Sequence, residues 1–119
     1  MSPNIVVLSA DCGFSWNSKD IKSDKIACSA VWNEAKEAIC SDEYDLVVLD
    51  EINLALHLNY LQIREVVEAI NKRPAWKHII MTGRNAPLEI VEIADCVSDI
   101  KNIKHPFDRG IVAQKGIDF

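Results

Sequence analysis

The stretch Asp45-Leu46-Val47-Val48-Leu49-Asp50-Glu51 constrains the fold of this chain more than any other. Its apolar centre, Leu46–Leu49, is continuous and half β-branched, which is typical of a strand buried on both faces in a parallel sheet. Sheets of that kind occur in α/β domains, where helices cover both faces. The stretch therefore predicts an α/β protein with a parallel sheet.

Two adjacent carboxylates, Asp50 and Glu51, follow this strand. In open α/β sheets the ligand crevice lies at the carboxyl ends of the strands, and an apolar strand that closes on Asp-Glu resembles the metal-side strand of a nucleotide site. The same two residues could instead cap the next helix, because Asp at such a position accepts backbone hydrogen bonds. The stretch alone leaves both interpretations open.

Composition narrows the class of protein. A chain of 119 residues, 49% hydrophobic and 26% charged, fits a single globular domain over residues 1–119. The net charge of -5 is spread along the chain and provides no basic surface for nucleic acid. No apolar run approaches a membrane span, no secretory signal is evident, and the dispersed cysteines form no zinc motif. We expect a cytoplasmic protein with reduced cysteines, of which Cys28 and Cys40 are buried.

Apolar runs and helical periods alternate along the chain, which is the βαβ pattern of a parallel sheet. The predicted strands are Ile5–Leu8, Leu46–Leu49, Lys77–Met81 and Cys96–Ile100. The predicted helices run from Ser23 to Cys40, where Ser41-Asp42-Glu43 ends the first of them, from Ile52 to Leu58, from Ile63 to Ile70, and from Pro87, at the first helical position, to Ala94.

Two further segments are candidates for ligand contacts. Phe14 and Trp16 lie in a polar loop after the first strand and could cover the core, which their spacing favours, or form a platform for a flat ligand. Thr82-Gly83-Arg84 follows a later strand, on the same rim as Asp50 and Glu51. Its arginine could bind phosphate oxygens or form a surface salt bridge. No pair of nucleophile and base is evident.

Several motifs occur together in one order, and in combination they resemble the ATP:corrinoid adenosyltransferases of the cobalamin pathway. The resemblance extends from about Ile5 to Phe119. The motifs that carry it are Gly13-Phe14-Ser15-Trp16, the helix with Ala30-Val31-Trp32, Val48-Leu49-Asp50-Glu51, Arg73-Pro74, Thr82-Gly83-Arg84-Asn85-Ala86-Pro87 and Lys104-His105-Pro106-Phe107-Asp108.

The resemblance implies a three-layer, RecA-like P-loop NTPase fold. It also implies transfer of the 5′-deoxyadenosyl group of ATP to the cobalt of a reduced corrinoid, cobalamin or a precursor. Cobalt is itself the nucleophile, attacking the ribose C5′ and releasing triphosphate, so that no catalytic nucleophile is required of the protein. The protein's task is then positioning and electrostatics. An electron-donor flavoprotein is the expected partner.

Site residues follow from the same resemblance. Asp50 and Glu51 fall on the side of a Mg²⁺ ion that offsets the triphosphate charge, Arg84 and Asn85 on the nucleotide rim, and Phe14 and Trp16 over the corrin. All six are expectations that follow from matching motifs.

One departure from the family pattern is large, because the 119 residues contain no GxxxxGKS/T phosphate-binding loop and only four glycines. We expect a fold truncated at its N-terminus that corresponds to the C-terminal part of the family fold. Its exposed strand edges favour association, for example as a homodimer. Two hypotheses follow. The first is an adenosyltransferase that is active with a phosphate loop contributed from elsewhere, or through an unusual mode of ATP binding. The second is a noncatalytic, vestigial corrinoid-binding module that has lost ATP binding.

Overall fold

The computed structural model describes residues 5–8 and 21–104, and these form an α/β unit. The order of elements confirms the predicted alternation of helices and strands. The elements are α1 (Ile21–Cys40), β1 (Leu46–Leu49), α2 (Ile52–His57), α3 (Ile63–Asn71), β2 (His78–Met81) and α4 (Leu88–Ile93).

The two strands β1 and β2 pair in parallel, as predicted, with Leu46 opposite His78 and Leu49 opposite Met81. Side chains alternate across a strand, and this alternation separates a packed face from an open one. Leu49 is buried, whereas Leu46 and Val48 are 48% and 53% exposed. The prediction that this strand is buried on both faces is therefore wrong for the part of the chain that the structure describes.

The packed face of the sheet lies against one hydrophobic core cluster. The spacing of apolar residues along α1 and α3 turns one side of each helix toward it, which is the expected behaviour of amphipathic helices. Ile39 of α1 and Val66 of α3 are both 0% exposed. The buried members of the cluster are Trp32, Ile39, Leu49, Ile52, Leu56, Val66, Ala69, Ile70 and Ile90.

The cysteines of α1 divide between the two sides of the helix. Cys28 is buried, as predicted, and contributes to a smaller cluster with Ala55 and Tyr60. Cys40 is exposed, so its predicted burial is wrong. It lies at the last position of α1, directly after the fully buried Ile39, and adjacent helical residues point in different directions.

A buried lysine joins the end of α1 to the start of β2. Lys77 is only 2% exposed, and its Nζ donates hydrogen bonds to the carbonyl oxygens of Ala38, at 2.6 Å, and of Ser41. The last carbonyls of a helix lack partners within the helix and carry partial negative charge, so a cation is favoured there. This contact fixes where β2 begins, and the sequence pattern did not indicate it.

Two predicted strands are not strands in the structure. Ile5–Leu8 and Cys96–Ile100 have no regular secondary structure, and their apolar side chains include Val7 at 82% and Ile100 at 91% exposed. A strand forms only where a neighbour satisfies its backbone, and within the described residues β1 and β2 pair only with each other. Apolar composition alone was therefore insufficient to predict these two segments as strands.

Other expectations concern helix boundaries and residues outside the described ranges. Pro87 lies at the N-cap of α4 and not at its first helical position. The helix α1 begins at Ile21, two residues ahead of the predicted Ser23. Phe14 and Trp16 lie outside the described residues. Within the described ranges, no helix has the length and apolar character to cross a membrane.

Candidate functional site

The carboxyl ends of β1 and β2 lie side by side, because the strands are parallel and Leu49 is opposite Met81. Asp50 and Thr82 are the next residues along each strand, so the carboxylates and the Thr82-Gly83-Arg84 turn share one edge. We name this edge, formed by residues 50–53 and 82–85, the carboxyl rim. It is the edge at which open α/β sheets bind their ligands.

A threonine hydroxyl connects the two halves of the carboxyl rim. Oγ1 of Thr82 donates a hydrogen bond to Oδ1 of Asp50 at 2.7 Å. Oγ1 of Thr82 also accepts a hydrogen bond from the backbone N–H of Glu51 at 2.9 Å. The orientation of the Asp50 carboxylate is therefore set from the neighbouring strand.

The helix-cap interpretation of the two carboxylates does not agree with the structure. Glu51 is the N-cap residue of α2, but no side-chain capping hydrogen bond forms there. Its backbone has a φ of 58°, in the left-handed region that a residue with a side chain adopts rarely. Glu51 is exposed, so its carboxylate remains accessible at the rim.

The turn after β2 is attached to the start of α2 through Asn53, which sequence reasoning missed. The backbone N–H of Asn53 donates to the carbonyl of Thr82 at 3.3 Å, and its Nδ2 donates to the carbonyl of Gly83 at 3.4 Å. Asn53 is 4% exposed, and its Oδ1 has no hydrogen-bond partner among residues 5–8 and 21–104. A polar residue at the second position of the mostly apolar Ile52–Leu58 segment was the available signal.

Arg84 and Asn85 extend from this turn and are both exposed. Arg84 forms no salt bridge among residues 5–8 and 21–104, where the ion pairs are Arg64–Glu68 and Arg73–Asp95. The surface salt-bridge interpretation of Arg84 therefore has no support within those ranges. Asn85 has a φ of 55°, a conformation that asparagine tolerates better than most residues.

A groove runs from the carboxyl rim along the open side of β1. It has a volume of about 860 Å³ and lies between β1, α1 and the segment Ile5–Leu8. Apolar side chains form much of its lining, and Asp50 and Glu51 form part of its wall. Trp32 also lines it, and the Nε1 of this buried tryptophan has no hydrogen-bond partner in the part of the chain that the structure describes.

The carboxylates at the carboxyl rim suit a cation that is also held by phosphate groups of a bound substrate. Among the described residues there is no cluster of three or more His, Cys, Asp or Glu side chains able to hold a metal. Mg²⁺ does not need such a cluster, because it is usually bound by one or two carboxylates together with substrate phosphates and water. Asp50, through its second oxygen, and Glu51 can supply those carboxylates.

The parallel pairing of β1 and β2 between helices places this chain among the α/β proteins. Comparison with protein families identifies it further, since the family model described as ATP:corrinoid adenosyltransferase BtuR/CobO/CobP matches residues 2–119. The chain belongs to this family, which confirms the resemblance inferred from the motifs.

Individual relatives agree with the family match. The chain is 42% identical over 107 residues to a corrinoid adenosyltransferase of Escherichia coli, with 90% of this chain and 55% of the relative covered. It is 40% identical over 107 residues to corrinoid adenosyltransferase CobA of Salmonella typhimurium, with the same coverage. The chain thus spans about half the length of the curated relatives it matches.

Proposed function

We propose that this chain takes part in the transfer of the 5′-deoxyadenosyl group from ATP to the cobalt of a reduced corrinoid, in cobalamin biosynthesis or salvage. The observation that carries the proposal is the family match over residues 2–119. The exposed carboxylates and arginine of the carboxyl rim support it, because a triphosphate with a divalent cation needs groups of both signs.

The proposed roles follow the geometry of the rim. Arg84 and Asn85 bind the nucleotide, with the guanidinium group donating to phosphate oxygens. Asp50 and Glu51 lie on the metal side, where bound Mg²⁺ neutralises charge on the triphosphate. Phe14 and Trp16 contact the corrin. No side chain acts as the nucleophile, because the substrate's cobalt attacks the ribose C5′ and triphosphate leaves.

The contribution of the protein is then orientation. In this proposal Arg84 holds the phosphates at the rim, and the loop with Phe14 and Trp16 holds the corrin. Together they position the cobalt for attack on C5′ of the ribose. Holding two reactants in position converts a bimolecular step into an effectively unimolecular one. The groove beside Asp50 and Glu51 adds apolar side chains next to the proposed nucleotide site.

The remaining parts of the proposal concern fold and context. Residues 1–119 are proposed as one domain of a three-layer, RecA-like P-loop fold, which the parallel pairing of β1 and β2 supports. A cytoplasmic location, an electron-donor flavoprotein and a homodimer remain predictions from the sequence. The exposed side chains of Leu46, Val48 and Ile80 on the open sheet face favour association with a further polypeptide.

ATP binding distinguishes the proposed enzyme from a noncatalytic corrinoid-binding module. We expect the 119-residue chain alone to bind Mg-ATP weakly, because it contains no GxxxxGKS/T loop whose backbone amides would surround the phosphates. Calorimetric titration measures this directly. Micromolar affinity of the isolated chain would contradict the expectation, and affinity gained by adding a polypeptide that carries such a loop would favour the enzyme.

Corrinoid binding tests the aromatic loop. We expect Trp16→Ala to weaken corrinoid binding by roughly tenfold or more, because stacking of an aromatic ring on a flat ligand contributes about 1–3 kcal/mol. The measurement is an absorbance titration with a corrinoid. The matched control is Trp76→Ala, since Trp76 precedes the amino end of β2 and therefore lies opposite the carboxyl rim. Equal affinity of wild type and Trp16→Ala would remove Trp16 from the site.

A further inference from the structure

We infer that Thr82 is a positioning residue that holds Asp50 and Glu51 in place for a divalent cation. The inference rests on the proposed function, in which these carboxylates lie on the metal side. It adds a residue from the neighbouring strand to that site and assigns to its hydroxyl group a role distinct from phosphate contact.

Thr82 directs all of its polar groups at the turn between β1 and α2. Its backbone N–H donates to the carbonyl of Leu49 at 3.2 Å, and its own carbonyl accepts the N–H of Asn53 at 3.3 Å. Its hydroxyl accepts the N–H of Glu51 at 2.9 Å and donates to Oδ1 of Asp50 at 2.7 Å. One residue thus contacts nearly every position of the turn that carries the carboxylates.

The hydroxyl contacts have consequences for both carboxylates. A threonine hydroxyl has one proton, and Oδ1 of Asp50 receives it, so the carboxylate plane is set while its second oxygen remains for another ligand. Accepting the N–H of Glu51 stabilises the left-handed backbone of that residue, which would otherwise be strained. The direction of the Glu51 side chain depends on that backbone conformation.

Hydrogen bonds behind a ligating carboxylate affect metal affinity strongly. In protein metal sites, losing such an outer partner typically lowers metal affinity by about 10- to 100-fold. The hydroxyl of Thr82 lies between two candidate ligands, so its loss should loosen both. A half-buried threonine with a merely structural role would affect stability without this effect on metal affinity.

The experiment uses Mn²⁺, which prefers the same oxygen ligands as Mg²⁺ and broadens nearby nuclear magnetic resonance signals. The 119-residue chain is titrated with Mn²⁺ in the presence of tripolyphosphate, which supplies the phosphate oxygens that complete such a site. Wild type, Thr82→Val and Thr82→Ser are compared, and broadening of the Asp50 and Glu51 amide signals is followed. Valine keeps the approximate volume and removes the hydroxyl, whereas serine retains it. Ser41→Ala is the control, because it removes a hydroxyl that donates to Ala38 at the opposite end of the sheet.

We expect Thr82→Val to weaken Mn²⁺ binding about tenfold, with Thr82→Ser and Ser41→Ala remaining within about threefold of wild type. The Glu51 amide should also exchange with solvent faster in Thr82→Val and at the wild-type rate in Thr82→Ser. Equal Mn²⁺ affinity of wild type and Thr82→Val would overturn the inference and leave the metal assignment intact. Absence of broadening at Asp50 and Glu51 in the wild type would overturn the metal assignment together with the inference.

Discussion

Replacing Ile39 by alanine is expected to lower the free energy of unfolding by about 3–4 kcal/mol, which is the middle of the range of about 2–5 kcal/mol for truncating a buried isoleucine. Ile39 is 0% exposed and belongs to the cluster that joins α1, α3 and the packed side of β1. The loss combines the transfer free energy of the removed methyl and methylene groups with a cavity that the surrounding helices fill only partly.

The matched control is Ile26→Ala, because Ile26 belongs to the same helix but is 63% exposed. We expect Ile26→Ala to change the free energy of unfolding by no more than about 0.5 kcal/mol, as surface substitutions generally do. Ile39→Val should fall between the two, near 1 kcal/mol, and keeps the comparison measurable if the alanine variant unfolds. Urea denaturation followed by circular dichroism gives all three values. Similar losses for Ile39→Ala and Ile26→Ala would contradict the core assigned to α1.

Local patterns were sufficient to predict the helices and the two paired strands. In α3, the spacing of Ile63, Val66, Val67 and Ile70 specifies one apolar side, and the structure packs that side on the core. The run Leu46–Leu49 was predicted with its observed bounds. A βαβ connection makes two strands parallel, so their carboxyl ends lie at the same edge of the sheet. The sequence pattern was therefore sufficient to predict the carboxyl rim.

Features that depend on distant partners could not be predicted in this way. Whether Ile5–Leu8 forms a strand depends on a neighbouring backbone, and the burial of Val48 depends on what covers the open face. The contact between Thr82 and Asp50 joins residues 32 positions apart and requires the register that places Leu49 opposite Met81. Burial of a lysine at position 77 depends on where α1 ends, since its partners are the carbonyls of Ala38 and Ser41.

Dependence on distant partners also explains why the sequence alone could not reject the interpretation of Asp50 and Glu51 as helix caps. Sequence places Asp50 and Glu51 immediately before α2, which is where capping residues belong. Only the structure shows that Asp50 pairs with Thr82 and that Glu51 makes no capping hydrogen bond with its side chain. The positions of the two carboxylates are therefore better explained by their contacts with Thr82 across the carboxyl rim than by capping of α2.

Replacing Gly83 by alanine is expected to lower the free energy of unfolding by about 3 kcal/mol, through two additive effects. Gly83 has a φ of 130°, which residues with a side chain rarely adopt, and strain of that kind contributes about 1–3 kcal/mol. A Cβ atom at this position would also lie 2.8 Å from the Cβ of Asn53, and overpacking of a tight contact contributes about 1–3 kcal/mol.

A double-mutant cycle with Asn53→Gly separates these effects, because that change removes the Cβ that the new methyl group would meet. In the Asn53→Gly background, Gly83→Ala should lower the free energy of unfolding by only about 1–2 kcal/mol, the part that comes from backbone strain. Urea denaturation of the four proteins completes the cycle. An equal loss in both backgrounds would remove the Gly83–Asn53 contact as a cause, whereas a loss below about 0.5 kcal/mol in the wild type would contradict the conformation assigned to the turn. Because Arg84 and Asn85 follow directly, a confirmed cycle would establish that the packing of Asn53 fixes the path by which the proposed nucleotide-binding side chains leave β2.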